Sequence, residues 1–186
     1  MLNTYTYFGQ VDAVINCVGI FDVDPIIMRS SINRFHVVPE GFFANLLGSV
    51  YSSYYFALLK GDREGFVLNA SPMINETEIK KLSKYFNLWT SQNSYTEMIS
   101  KVLSKKNIRF ISISPSSMDT LMPDITMRSK KDVTRALVMD SVIKRYQNYR
   151  EFVNLVIFAM TNSDINGVDL ELDNGEYSTP PMVAKI

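Results

Sequence analysis

The 186-residue sequence predicts an α/β domain built on a parallel sheet of four strands. Two observations lead there. Short β-branched runs alternate with segments of helical period in the order β-α-β-α-β-α-α-β, which the right-handed crossover rule turns into a layered domain. The clearest helix also passes directly into the clearest strand. Tyr95, Met98, Ile99, Val102 and Leu103 fall on the i, i+3, i+4, i+7, i+8 pattern of one buried helical face. Lys105 and Lys106 suit the negative end of the helix dipole, Asn107 can take the left-handed cap conformation, and residues 108–113 (IRFISI) then read as a strand.

The other elements follow in chain order. Residues 11–19 (VDAVINCVG) form a β-branched run ending at glycine, which suits a strand buried on both faces, with Cys17 as a small buried hydrophobe. Residues 21–41 carry Pro25 and Pro39 and read as loop. Phe43, Leu46, Leu47, Val50, Tyr54, Ala57 and Leu58 recur at helical spacing, and the Gly61 to Gly65 turn stops that helix. Residues 66–71 (FVLNAS) make the second strand, and residues 72–84 read as polar and irregular before the helix at Tyr85. Beyond the third strand lies a loop over residues 114–123. Two helices follow, at residues 132–145 and 152–160, then a strand at 168–172 and a polar tail. In such a sheet, ligands bind outside the carboxyl ends of the strands, where the loops after Gly19, Ser71 and Ile113 converge.

Composition narrows the function classes. With 46% hydrophobic and 20% charged residues the chain fits a single domain over residues 1–186. Lys+Arg and Asp+Glu balance at 19 each, and the basic groups are not interleaved with aromatics, so neither nucleic acid nor an anionic membrane is expected as a partner. One cysteine, Cys17, and one histidine, His36, supply neither a disulfide framework nor a zinc cluster. The opening residues have no basic region leading into an apolar run, and no segment reaches the length of a membrane span, so a soluble cytoplasmic protein is expected.

Six short stretches, taken together, resemble the short-chain dehydrogenase/reductase family, in its C-terminal half. Asp12-Ala-Val-Ile-Asn16-Cys-Val-Gly19 is similar to the family's strand ending in Asn-Asn-Ala-Gly. Phe43-Ala-Asn45-Leu-Leu-Gly48 resembles the helix carrying its catalytic asparagine, and residues 66–71 resemble the strand ending in Asn-Ile-Ser-Ser. Pro115-Ser116 stands where the family has Pro-Gly, and the stretch from Met118 to Met122 resembles the loop whose threonine, here Thr120, contacts the nicotinamide end. Residues 167–175 resemble the closing strand and its Asp-Gly-Gly. The resemblance implies a truncated Rossmann-like three-layer α/β domain with a four-stranded parallel sheet. It makes NAD(P) the cofactor and places Asn16, Gly19, Pro115 and Thr120 in cofactor binding.

The family's chemistry rests on an Asn-Ser-Tyr-Lys set. The tyrosine phenol exchanges a proton with the substrate oxygen, the serine hydrogen-bonds that oxygen, and the lysine lowers the phenol pKa and binds the cofactor ribose. Counting back from residues 108–110 through an ungapped helix brings Tyr85 to the tyrosine position. Asn45 and Ser71 are the matching catalytic candidates, although Pro72 occupies the serine's own place. Trp89 then stands where the lysine belongs, and an indole carries no charge and a single donor. The family's glycine-rich half would precede Val11, and no G-x-G-x-x-G follows a strand here. The expected function is therefore a degenerate family member, a pseudoenzyme or fragment acting by binding or assembly, with NAD(P) binding by this chain alone doubtful. The competing expectation is an NAD(P)-dependent oxidoreductase acting on a carbonyl or hydroxyl group, its other half supplied by another chain or lost through a wrong start site. Tyr51, Tyr54, Tyr55, Phe56, Trp89, Tyr95 and Met98 put large apolar surface on helices 42–60 and 85–106, the helices that members of the resembled family use for their dimer interface, so the resemblance implies a homodimer there. In the family this first strand lies beside a strand of the missing half, so residues 11–18 should present an unpaired edge, which implies either a partner covering it or limited stability.

Overall fold

The computed structural model describes residues 1–19, 43–71, 73, 76–116, 118 and 147–174, with the side chains of residues 43 and 76–89 left out. Four parallel strands, β1 (Ala13–Asn16), β2 (Gly65–Ala70), β3 (Ile108–Pro115) and β4 (Asp169–Leu172), lie in the order β1-β2-β3-β4. This is the α/β parallel sheet that the sequence predicts. Helix α1 (Leu2–Phe8) precedes β1, α2 (Gly48–Leu59) continues from a wider π-turn at Phe43–Leu47, and α3 (Glu76–Leu103) leads through a short 3-10 turn (Ser104–Lys106) into β3. Helix α4 (Tyr149–Thr161) precedes β4.

Local chemistry fixes several of these boundaries. Asn107 ends the 3-10 turn with φ 56°, ψ 36°, the left-handed cap that its short amide side chain favours, so the chain turns into β3 with no intervening loop. Asn148 opens α4 with a reciprocal capping box: its side chain accepts from the Arg150 amide, and Glu151 reaches back to the Asn148 amide. Arg109 closes the same helix. From β3 its guanidinium donates to the carbonyls of Ala159, Asn162, Ile165 and Met160 at 2.7–3.1 Å, while lying 4.9 Å over the Phe66 ring.

Each sheet face carries its own core. Phe66, Leu68, Ile111 and Ile113 pack against Val156 and Ala159 of α4 on one side. Phe56, Val67, Leu103, Ile108 and Phe110 form the core on the α2/α3 side, where the Tyr95 ring meets Phe110 edge-on at 5.6 Å. Burying each such side chain fully contributes about 1.5–3 kcal/mol.

Four sequence expectations are corrected here. Helix α3 starts at Glu76 and not at Tyr85, so most of the stretch read as irregular is helical. Strand β1 covers only Ala13–Asn16 and is half-exposed, because it is an edge strand and not one buried on both faces. Cys17, just past that strand, is accordingly exposed. Strand β3 runs on through Pro115, taking Ser114 and Pro115 out of the expected loop. The expected helix at residues 132–145, His36 and the polar tail beyond Asn174 lie outside the described residues.

Candidate functional site

The carboxyl ends of the strands are built differently from their amino ends. On the α2/α3 side, the lower half of the sheet presents Val14, Val67 and Phe110, which are neighbours in register. Two residues further along every strand, the next row is Asn16, Asn69, Ser112 and Asp169, again in register across all four strands. An apolar floor is thus replaced by a polar one within a single step of the pleat, because residues i and i+2 share a face.

Side chains from both helices meet this row. Ser52 Oγ donates to Asn16 Oδ1 at 2.8 Å, and Asn16 Nδ2 donates to Asn69 Oδ1 at 2.7 Å. At the other edge Asn93 Nδ2 donates to Asp169 Oδ2 at 2.7 Å, Ser114 Oγ donates to the same carboxylate at 2.7–2.8 Å, and Ser112 Oγ makes a long 3.5 Å contact to Asn93 Oδ1. One step above, Ser71 Oγ donates to Gln92 Oε1 at 3.2 Å, and Gln92 Nε2 donates to the Asn45 carbonyl at 3.2 Å. That carbonyl sits in the π-turn, a helix irregularity frequent at functional sites, and also accepts from Ser49 Oγ at 3.0 Å. Ser71, Gln92 and Asn45 are all buried.

The structure links Ser71 to the Asn45 carbonyl through Gln92, which the sequence reading did not single out. Asn16 belongs to the polar row, Gly19 is exposed just beyond β1, and Pro115 is the half-buried last residue of β3. Position 85 lies within α3, nine residues after its start, while the side chains of Tyr85 and Trp89 and the whole of Thr120 are outside the described residues. The buried face of α3 also differs from the expected one. Met98 and Val102 are exposed, whereas Gln92, Thr96 and Ser100 are buried. The reason is the polar floor: a helix covering Asn69 and Ser112 must offer hydrogen-bonding side chains, since burying an unpaired polar group costs about 1–3 kcal/mol. The i, i+4, i+8 spacing of Gln92, Thr96 and Ser100 was the signal in the sequence. Phe56, expected at a surface, is fully buried, and Tyr95 is half-buried.

Burial pushes the Tyr95 phenol above its ordinary value, and its hydrogen bond with Ser53 only partly opposes this. Burial, with help from Asp169 and Asp173, raises the Glu171 carboxyl.

Sequence comparison finds no family model that matches. A curated relative does: the diacetyl reductase [(S)-acetoin forming] of Staphylococcus epidermidis is 26% identical over 181 residues, covering 91% of this chain and 70% of that protein. The fold agrees with solved structures of a short-chain type dehydrogenase/reductase from Mycobacterium marinum (TM-score 0.78, 19% identity, 96% of this chain and 69% of that one) and of acetoin dehydrogenase from Enterobacter cloacae (TM-score 0.74, 19% identity, 97% and 70%). The chain is similar to short-chain dehydrogenases/reductases in sequence and fold over most of its length. A further structural neighbour, a small-chain dehydrogenase in complex with NADPH, aligns with TM-score 0.78 at 16% identity, over 94% of this chain and 78% of its own.

The likeness to such dehydrogenases, one of them in complex with NADPH, raises the question of a nicotinamide dinucleotide, and the described residues do not fit a tight cradle for one. Pro115 has no N–H, Asn16 is tied between Ser52 and Asn69, and Gly19 stands exposed without a neighbouring glycine-rich turn among the described residues. Among the described residues no group of three or more His, Cys, Asp or Glu could hold a metal ion, and no helix is long and apolar enough to cross a membrane.

Proposed function

We propose that this chain is a degenerate short-chain dehydrogenase/reductase, a pseudoenzyme or fragment that acts in the cytoplasm by binding or assembly and not by hydride transfer. The observation that carries this reading is the Gln92 bridge. In an active member the serine hydroxyl is offered to the substrate oxygen; here Ser71 donates its proton to Gln92 Oε1, and Gln92 is held in turn by the Asn45 carbonyl. A substrate would have to displace a buried hydrogen-bonded pair before reaching Ser71. Trp89 at the lysine position supports the same reading, because an indole cannot supply the cation that lowers a neighbouring phenol's pKa. The test is nicotinamide fluorescence on adding NADH or NADPH to the purified chain. No saturable enhancement is expected for the protein or for Trp89→Lys, and saturation at micromolar ligand overturns the reading.

A second reading is favoured by the edge strand. Strand β1 pairs only with β2 among the described residues, an edge on which another strand could add. An NAD(P)-dependent oxidoreductase acting on a carbonyl or hydroxyl, with Tyr85, Asn45 and Ser71 as its site, would use that edge to join a glycine-rich cofactor-binding unit from another chain or from sequence encoded upstream of Met1. Translating the upstream DNA in all frames decides whether such a unit is encoded there.

Assembly has a surface to use. Tyr51, Tyr54, Tyr55 and Leu58 of α2 and Met98 and Val102 of α3 are all more than half exposed, and we place a homodimer interface on these two helices. Sedimentation showing only monomer at micromolar concentration argues against it.

A further inference from the structure

Two buried polar atoms in the layer between the sheet and helices α2 and α3 have no partner within the protein: Asn69 Nδ2 and Thr96 Oγ1. Both residues are almost completely buried, at 0% and 1% exposure. Their positions are related by the geometry of the elements that carry them. Ser71 and Gln92 are hydrogen-bonded, which sets the height of α3 against β2. From that pair, Asn69 lies two residues back along the strand, about 6.6 Å toward the amino end. Thr96 lies four residues along an oppositely running helix, about 6 Å in the same direction and on the same helix face. The two unpartnered atoms therefore stand at one level, across the layer from each other, directly beneath the Ser71–Gln92–Asn45 bridge. Ser112, next to Asn69 in register, and Ser49, one turn from Asn45 along α2, bring buried hydroxyl oxygens to the same layer.

We propose that this level is a binding site for one internal water molecule, held by Asn69 Nδ2 and Thr96 Oγ1 beneath the Gln92 bridge. An isolated amide N–H and an isolated hydroxyl at such depth are rare in folded proteins, and one water satisfies both while donating its own protons to neighbouring serine oxygens. The site is polar on the sheet side and on both helices, which is the environment that holds ordered water and not an empty apolar void. The water completes the polar floor: Asn69 accepts from Asn16 on one side and donates to the water on the other.

The alternative, two hydroxyl and amide groups simply left unsatisfied, predicts the opposite response to one substitution. Thr96→Val keeps the shape of the side chain and removes the hydroxyl. If the hydroxyl holds water, the variant strands that water and Asn69, and Tm falls by about 2–6 °C. If the hydroxyl is an orphan, Thr96→Val leaves Tm unchanged or raises it, which overturns the proposal. Water-to-protein magnetisation transfer in NMR supplies a direct readout on the full chain. A cross-peak from water to the Asn69 side-chain amide is expected in the parent protein and in Thr96→Ser, and its loss in Thr96→Val. Absence of the cross-peak in the parent overturns the proposal whatever the Tm values.

Discussion

Replacing Arg109 by methionine removes the guanidinium that ties β3 to the end of α4. Its two terminal nitrogens serve four carbonyl oxygens: Nη1 reaches Ala159, Asn162 and Ile165 at 2.8, 2.9 and 3.1 Å, and Nη2 reaches Met160 at 2.7 Å. Nη1 has only two hydrogens for three acceptors, so the set amounts to three hydrogen bonds from a charged donor and not four. Such bonds contribute roughly 1.5–3 kcal/mol each in favourable cases, and sharing and partial exposure put the loss near 3–5 kcal/mol. The favourable placement of a cation at a helix C-terminus and over the Phe66 ring is lost with it. With a urea slope of about 2 kcal/mol/M, the unfolding midpoint of Arg109→Met should fall by roughly 1.5–2.5 M. Arg109→Lys keeps the charge but not the planar fork, so it should recover less than half of the loss. Equilibrium urea unfolding of the three proteins, followed by circular dichroism, makes the comparison. A methionine variant within 1 kcal/mol of the parent refutes the reasoning, and full recovery by lysine shows that charge alone, not geometry, closes the helix.

Two further outcomes concern pH. Lys60 is buried, its Nζ donates to the Lys106 carbonyl at 3.0 Å, and burial, with Arg63 beside it, holds its pKa below the ordinary 10.5. Between that lowered value and 10.5 the native state has released a proton that the unfolded state keeps, so stability rises with pH across this window. Urea midpoints measured at intervals from pH 7 to 10 should show the rise in the parent and lose it in Lys60→Met. Glu171 behaves in the opposite sense: its carboxyl is raised above the ordinary 4.5, so stability falls as pH climbs from 4.5 through the native value, where the unfolded state ionises first. Glu171→Gln should therefore be more stable than the parent at pH 7 and equal to it at pH 4, and equal midpoints at both pH values contradict this.

The four strands, their parallel pairing and the Asn107 cap were legible in the sequence because each has a local cause: β-branched runs, crossover length and a residue that tolerates positive φ. The candidate asparagine and serine positions, Asn45 and Ser71, were legible only through the family resemblance. What was hidden was long-range. Nothing near Gln92 in the sequence says that it will stand between Ser71, 21 residues away, and Asn45, 47 residues away. Arg109 read as an ordinary strand residue, yet its acceptors lie 50 to 56 residues further on. The face of α3 was misjudged for the same reason. Apolar periodicity picks out Met98 and Val102, but which stripe is buried depends on what the sheet offers opposite, and here the sheet offers Asn69 and Ser112. Cys17 was misread because an apolar neighbourhood in sequence does not bury a residue at the end of an edge strand.

The division of the sheet into an apolar amino half and a polar carboxyl half also sets how each end responds to mutation. Van der Waals packing has no preferred direction, so the region of Val14, Val67 and Phe110 tolerates volume-conserving exchange among aliphatic and aromatic residues. Hydrogen bonds do have direction, and a network in which Asn16, Asn69, Asn93 and Asp169 each fix a neighbour admits few substitutes at any position. Random variation in this chain should therefore accumulate at the amino ends of its strands and be excluded from the carboxyl ends, whether or not any reaction takes place there.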